Sequence, residues 1–278
     1  MSNNKLVLIT GSTDGIGKKT ALEIVNLGYH VIIHGRNQKS AEQTMDQIKK
    51  ETKDDCISAT FADLGSFNQI IEMTKNIKKQ FKKLDVLVNN AGVYRPEKRL
   101  SQENIEETFA INYVAPFLLT NLLIDLLKKA DSSRIVNVVS QVHSNRLNLN
   151  DLQFQNDYTG VKAYAQSKTC LIMFTYLLAE KLKKTTTTVN CLHPGIINTK
   201  LLKAAMSSIG APVSAGAENL IYIATSHKLE KITGTYFDNN KPKLSKEITY
   251  NAEMQKKLWE KTEKLIGMKF INSSFSYV

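Results

Sequence analysis

Cysteine is scarce in this chain, and the three present are poorly placed for chemistry. Cys56, Cys170 and Cys191 have no metal-type spacing, and each sits in an apolar segment. They read as buried, reduced thiols, which points to a cytoplasmic protein without disulfides. The five histidines form no ligand cluster, so no metal is expected. Long hydrophobic runs are also missing. A membrane span needs about 20 apolar residues, and the nearest stretch, 114–127, is interrupted by Thr120, Asn121 and Asp125. A strand pattern begins by Lys5, which argues against a signal peptide. Repeats, low-complexity tracts and Pro- or Gly-rich linkers are absent too, so residues 1–278 read as a single domain.

Negative charge is in deficit. Against 37 Lys and Arg stand 26 Asp and Glu, a net charge of +11. That balance invites a nucleic-acid reading. The lysines, however, are scattered over helical segments and cluster no further than pairs such as Lys78-Lys79 and Lys183-Lys184. The charge is therefore assigned to solvated helix faces, with a smaller share drawing in an anionic cofactor. No nucleic-acid or membrane partner is expected.

What is present is an alternation. Apolar runs at 6–9, 30–34, 57–61, 85–88, 134–139 and 187–192 read as buried strands, with a last short strand at 235–237. Helical patterns separate them at 18–27, 39–51, from about 66, at 102–129, from Tyr164 to 184, and at 217–224. A final amphipathic helix is expected at 247–266. This order predicts an α/β fold, a doubly wound and mainly parallel sheet. The segment 200–216 carries Leu201, Leu202, Met206 and Ile209 and breaks at Gly210 and Pro212, so it reads as a lid.

Polar residues gather where strands end. Between the first strand and its helix lies Thr10-Gly11-Ser12-Thr13-Asp14-Gly15-Ile16-Gly17. Glycines let a backbone turn tightly and approach a diphosphate, and the following helix N-terminus offers free N–H groups. The second strand ends in His34-Gly35-Arg36-Asn37. A carboxylate there would hold a ribose 2′-hydroxyl; an Arg suits a 2′-phosphate, so NADP is favoured over NAD. Asn89-Asn90-Ala91-Gly92 closes the fourth strand, where open α/β sheets bind ligands. Asn112 lies inside a long apolar helix, a costly place unless it is bonded. It is either a cap at a helix bend or a polar member of a site.

The fifth strand runs into Ser140, and Pro194-Gly195 with Thr199 follows the sixth. Tyr164 and Lys168, four residues apart, share one helix face. An ammonium there favours phenolate and lowers the Tyr pKa from about 10. Proton donation near pH 7 needs a shift of roughly 3 units, about 4 kcal/mol. The spacing is common, and Tyr158 with Lys162 repeats it.

The ordered set decides between them. The Gly-rich turn, Asn89-Asn90-Ala91-Gly92, Ser140, Tyr164 with Lys168, and Pro194-Gly195 with Thr199 together resemble the short-chain dehydrogenase/reductase family across residues 5–237. The wording His193-Pro194-Gly195, Tyr164-Ala165-Gln166-Ser167-Lys168 and Tyr236-Phe237 resembles its retinol-dehydrogenase-like branch. The resemblance implies a Rossmann-type fold and makes Tyr164 the general acid in reduction and base in oxidation, with Tyr158 and Lys162 in the preceding loop. Lys168 would lower the Tyr164 pKa and bond the nicotinamide ribose, Ser140 would bond the substrate oxygen, and Asn112 would hold a water in the proton path. Positions matching cofactor contacts are Gly11, Ser12, Thr13, Asp14, Gly15, Ile16, Gly17, Arg36, Asn37, Asp63, Leu64, Asn90, Ala91, Gly92, Tyr164, Lys168, Pro194, Gly195 and Thr199, with Asp63 and Leu64 near adenine.

Two positions depart from the family pattern. Val139 stands where a second Ser is common, and Asp14 stands where an NADP-preferring subgroup often carries a basic residue. The branch often has a membrane-anchoring N-terminus, which this sequence does not show, so a soluble enzyme is implied and a retinoid substrate is not. The resemblance further implies a homodimer or homotetramer formed through the helices 102–129 and 164–184. The expected function is an NADP-dependent oxidoreductase interconverting a small-molecule alcohol and its ketone or aldehyde. The alternative is a non-catalytic dinucleotide-binding sensor or scaffold.

Overall fold

Short apolar runs become the centre of one sheet. The computed structural model describes residues 5–205 and 209–270. Its strands are β1 Leu6–Ile9, β2 His30–Gly35, β3 Ile57–Phe61, β4 Val86–Asn89, β5 Ser133–Val138, β6 Thr187–His193, β7 Tyr236–Asp238 and β8 Lys241–Lys243. They lie in the order β3-β2-β1-β4-β5-β6-β7-β8, all parallel except the last pair. β1, β4 and β6 are buried along their whole length, as strands covered on both faces must be.

Side-chain alternation divides the core in two. Val7, Ile9, Val31 and Ile33 pack with Ala21, Ile24 and Val25 of α1 (Gly15–Asn26) and with Leu220 and Ile223 of α8 (Val213–Thr225). Leu6, Leu8, Ile32 and Leu87 face the other way. They meet α3 (Phe67–Gln80), α5 (Ala115–Lys128) and α6 (Gly160–Leu182). α2 (Gln38–Thr52) lies between β2 and β3. Strand order reverses at β1 and β4, so the loops after these strands diverge and leave a crevice at the carboxyl edge.

Several boundaries differ from the sequence reading, each for a local reason. α1 starts three residues early, because Asp14 caps it by accepting the Gly15 N–H at 2.8 Å. α6 starts at Gly160 rather than Tyr164, capped by Thr159. Lys162 is therefore helical, and only Tyr158 remains in the loop. The expected helix 102–129 is really α4 (Glu107–Phe109), a π turn over Ala110–Val114, and α5. Glu107–Lys128 is long and apolar enough to cross a membrane, at 22 residues with mean hydropathy 1.6, but most of it is buried in the core. Its span exceeds the interrupted stretch read from sequence.

β8 was not expected. Lys241-Pro242-Lys243 is exposed throughout and has no apolar alternation. Proline and lysine suit a sheet edge that must not recruit another chain. The turn before it has Asn239 and Asn240 at φ 51° and 59°, the left-handed pair that two-residue hairpins use.

The C-terminal helix is shorter than 247–266. A 3₁₀ turn at Glu247–Tyr250 precedes Asn251, whose side chain accepts the Met254 N–H and opens α9 (Ala252–Ile266). α9 lies on α5 and α6. Trp259 sits 4.7 Å from Phe117 and 5.8 Å from Phe174 between ring centroids, and the Tyr113 hydroxyl bonds Thr262 at 2.8 Å. Part of the helix pair proposed for self-association is thus covered by the chain itself.

The 200–216 segment is not one loop. α7 (Lys200–Ala205) leads it, and Ala211 then pairs with Ile197 before α8 begins at Val213. Met206 of the lid reading lies outside the described residues, as do the termini 1–4 and 271–278.

Candidate active site

The crevice is a cleft of about 500 Å³, an ordinary size for a ligand pocket. One wall is the Gly-rich turn. Gly11 and Gly15 have φ of 63° and 54°, which an L side chain resists. A Cβ on Gly17 would lie 2.4 Å from the Gly11 carbonyl oxygen and 2.5 Å from Asn90 Nδ2. The loop therefore brings bare backbone and the α1 N-terminus to the cleft. Asn90 fixes it from β4: its Nδ2 donates to the Thr10 carbonyl at 2.8 Å, and its N–H donates to Thr10 Oγ1 at 2.9 Å. Arg36 is exposed at the end of β2 and lines the same cleft, as do Asp63, Leu64, Ala91 and Gly92. These features fit a dinucleotide: room for a diphosphate at a helix N-terminus and a guanidinium lining the same cleft.

Two of the expected cofactor residues have side chains engaged in the fold. Ser12 is fully buried, donating from Oγ to the Ile9 carbonyl and accepting the His34 N–H. Asn37 caps α2 by accepting the Ser40 N–H at 2.9 Å. Neither lines the cleft. The remaining expected contacts, from Gly11 to Thr199, all do.

Opposite the glycines, β5 and α6 bring Ser140, Tyr164 and Lys168 together. Ser140 is buried, and its Oγ accepts the Val142 N–H at 3.0 Å, which leaves its own hydrogen to donate. Burial pushes the Tyr164 phenol up to about 12, and a hydrogen bond with Ser140 draws it partly back. Lys168 Nζ lies 5.6 Å from the Tyr164 ring centroid and donates to the Val138 carbonyl at 2.9 Å. Burial brings its pKa down to about 8. The lowering of Tyr164 anticipated from sequence is thus not met: burial sets the direction, and the Lys168 ammonium bonds a carbonyl.

Asn112 takes the first of the two roles that the sequence left open, a bonded polar group at a helix irregularity. It occupies the π turn, fully buried. Its Oδ1 accepts the Val93 N–H at 2.8 Å, while its Nδ2 donates to the Val93 carbonyl at 2.9 Å and to Ser167 Oγ at 3.1 Å. Ser167 Oγ in turn donates to the Tyr164 carbonyl at 2.8 Å. Asn112 does not line the cleft; it ties the loop after Gly92 to the helix turn that carries Tyr164. The competing pair dissolves: Tyr158 donates to the Arg95 carbonyl at 2.9 Å, while exposed Lys162 pairs with Asp157 at 2.5 Å.

His34 and His143 were not singled out from sequence. His143 Nδ1 donates to the Ser140 carbonyl at 2.9 Å, and its Nε2 accepts the Lys246 N–H at 3.0 Å. His34 Nδ1 accepts the Gly11 N–H at 3.1 Å, so its Nε2 carries the hydrogen that meets the Ala62 carbonyl at 3.2 Å. One imidazole thus holds the ends of β1, β2 and β3 in register. Both signals were faint, since a His at a strand end looks like any other polar residue.

Burial lowers the His34 pKa from 6.5 to about 4. Below 6.5 the unfolded chain binds the proton more readily, so stability is lost as pH falls from 6.5 towards 4, by about 3 kcal/mol. Urea midpoints measured across this range should fall more steeply for wild type than for His34→Gln, which cannot titrate. Equal slopes would refute the assignment.

The comparisons with known proteins agree with this geometry. The short chain dehydrogenase family model matches residues 5–209. Human polyprenol dehydrogenase is 38% identical over 95% of this chain and 86% of its own length. Mouse retinol dehydrogenase 13 is 33% identical over 97% of this chain and 86% of its own. An uncharacterised Mycobacterium paratuberculosis protein superposes with a TM-score of 0.81 at 25% identity, covering 96% of this chain and 94% of that one. A Shigella flexneri short chain dehydrogenase complexed with NADP gives 0.69 at 25% identity, covering 86% and 98%. Similar from end to end to relatives of one kind, the chain belongs to the short chain dehydrogenase family, in its retinol-dehydrogenase-like branch.

Proposed function

We propose that the protein is an NADP-dependent oxidoreductase that interconverts an alcohol and its aldehyde or ketone. The observation that carries this reading is the meeting of Ser140, Tyr164 and Lys168 in the cleft that the Gly-rich turn and Arg36 also line. A bound nicotinamide supplies or accepts the hydride; the protein contributes position, a proton and polarisation. Gly11, Gly15 and Gly17 would hold the diphosphate, Arg36 the 2′-phosphate, and Asp63 and Leu64 the adenine end.

Tyr164 keeps its proton at neutral pH and can give it to a carbonyl oxygen. In the reverse direction the phenolate form would take the proton of the alcohol. Ser140, whose hydroxyl hydrogen meets the Tyr164 phenol, would donate to the same substrate oxygen. Lys168 sets a cation beside the phenol, and Asn112 with Ser167 steadies the turn beneath. On the substrate side, Tyr94, Val142, Val161, Ile196, Leu201 and Leu202 line the cleft. Of these, Val142, Val161 and Ile196 are 43%, 56% and 47% exposed and form an open apolar rim. Together with relatives named for polyprenol and retinol, this supports an alcohol with an apolar body.

Titration with NADPH and NADH, followed by nicotinamide fluorescence, tests the cofactor. Arg36→Ala should weaken NADPH by about 10- to 100-fold, the value of a charge-assisted bond, and leave NADH almost unchanged. Equal binding of both by wild type would remove Arg36 from this role.

A further inference from the structure

A carboxylate is an awkward neighbour for a phosphate. Asp14 cannot easily leave, because its side chain accepts the Gly15 N–H and starts α1. It stands beside Thr13, and Thr13 packs on the strand end that carries Arg36: a Cβ on Gly35 would lie 2.9 Å from Thr13 Cγ2. Thr13, Asp14 and Arg36 line one cleft. An anion drawn by Arg36 therefore approaches a negative side chain as well.

A cation reaches Asp14 from another element. Lys200, the first residue of α7, places Nζ 2.7 Å from Asp14 Oδ2. Its neighbour Thr199 accepts the Leu202 N–H on Oγ1 at 3.3 Å and brings Cγ2 to 3.6 Å from where a Gly15 Cβ would stand. The first turn of α7 thus rests on the Gly-rich loop. Lys18 also faces Asp14, but its Nζ donates to Gln47 Oε1 at 2.7 Å.

We propose that Lys200 is a specificity-determining residue for the 2′-phosphate of the dinucleotide: by pairing with Asp14 it cancels a charge that opposes Arg36. This rests on the NADP reading above. Both side chains are largely exposed, so the effect is modest and screened by salt.

The test is fluorescence titration of the whole chain with NADPH and NADH at low ionic strength. The variants are Lys200→Met, Asp14→Asn and the double substitution; Asn keeps the cap of α1. Lys200→Met should weaken NADPH about fivefold and leave NADH nearly unchanged. On the Asp14→Asn background the same change should cost almost nothing, and added salt should erase the effect in the single variant. If wild type prefers NADPH but Lys200→Met loses both dinucleotides equally, the proposal fails and the NADP reading stands. The same NADPH loss with and without Asp14 also overturns it. A wild type without preference overturns the NADP reading and this proposal together.

Discussion

Tyr164→Phe should lower turnover by about 10³-fold, within the range of a positioned general acid, and bind NADPH close to normally. The substitution removes one oxygen and little else. The ring keeps its contact with Tyr94, 6.0 Å between centroids, and with the Lys168 ammonium at 5.6 Å. Loss of the proton donor is then separated from loss of the site. The measurement is paired: carbonyl reduction with NADPH, and fluorescence titration of the same preparation. Near-normal turnover would dismiss Tyr164 as acid and base. Wild type that binds NADPH yet turns over no apolar alcohol or carbonyl would return the protein to the scaffold reading.

Gly17→Ala should be the most damaging small change in the dinucleotide wall. Its methyl would meet the Gly11 carbonyl oxygen at 2.4 Å, a backbone atom that cannot step aside, and Asn90 Nδ2 at 2.5 Å. Asn90 is itself committed to Thr10 and Gly11. Relief requires parting α1 from the loop, at about 3 kcal/mol of overpacking, and NADPH binding should vanish with it. Gly15→Ala is the control. Its Cβ would meet only Thr199 Cγ2 at 3.6 Å, so the cost is left-handed backbone strain, about 1 kcal/mol. Urea midpoints and titrations of the two variants check the order. A Gly17→Ala protein that folds and binds like wild type would mean that the turn is not close-packed as described.

The parts legible in the sequence were those with strong local chemistry. Apolar runs placed seven strands within a residue or so, most clearly β1, β4 and β6, because a strand covered on both faces leaves no other composition. Glycine spacing and the Arg36 position located the dinucleotide wall. Tyr164 and Lys168 could be chosen over Tyr158 and Lys162 only through the order of the whole set, since helical spacing alone fits both. What stayed hidden depends on contacts across the fold. Asn112 looked costly, but nothing local shows that Val93 and Ser167 satisfy it. The direction of the Tyr164 shift was misjudged because burial, not charge spacing, sets it. β8 lacked any apolar signature, and α9 was overextended because Asn251 reads as helical until its cap is seen.

The packing of α9 gives the chain an optical label of its own. Trp259 is the sole tryptophan in the sequence, and it is wedged between Phe117, Phe174 and the Lys181 ammonium, 4.8 Å from its ring, with no bond to its Nε1. Tryptophan emission, excited where tyrosine does not absorb, therefore comes from one seam, where α9 meets the helix that carries Tyr164. A shift in its colour reports that seam opening to water. Compared with dichroism of the backbone during denaturation, it tells whether α9 lets go before the sheet or together with it.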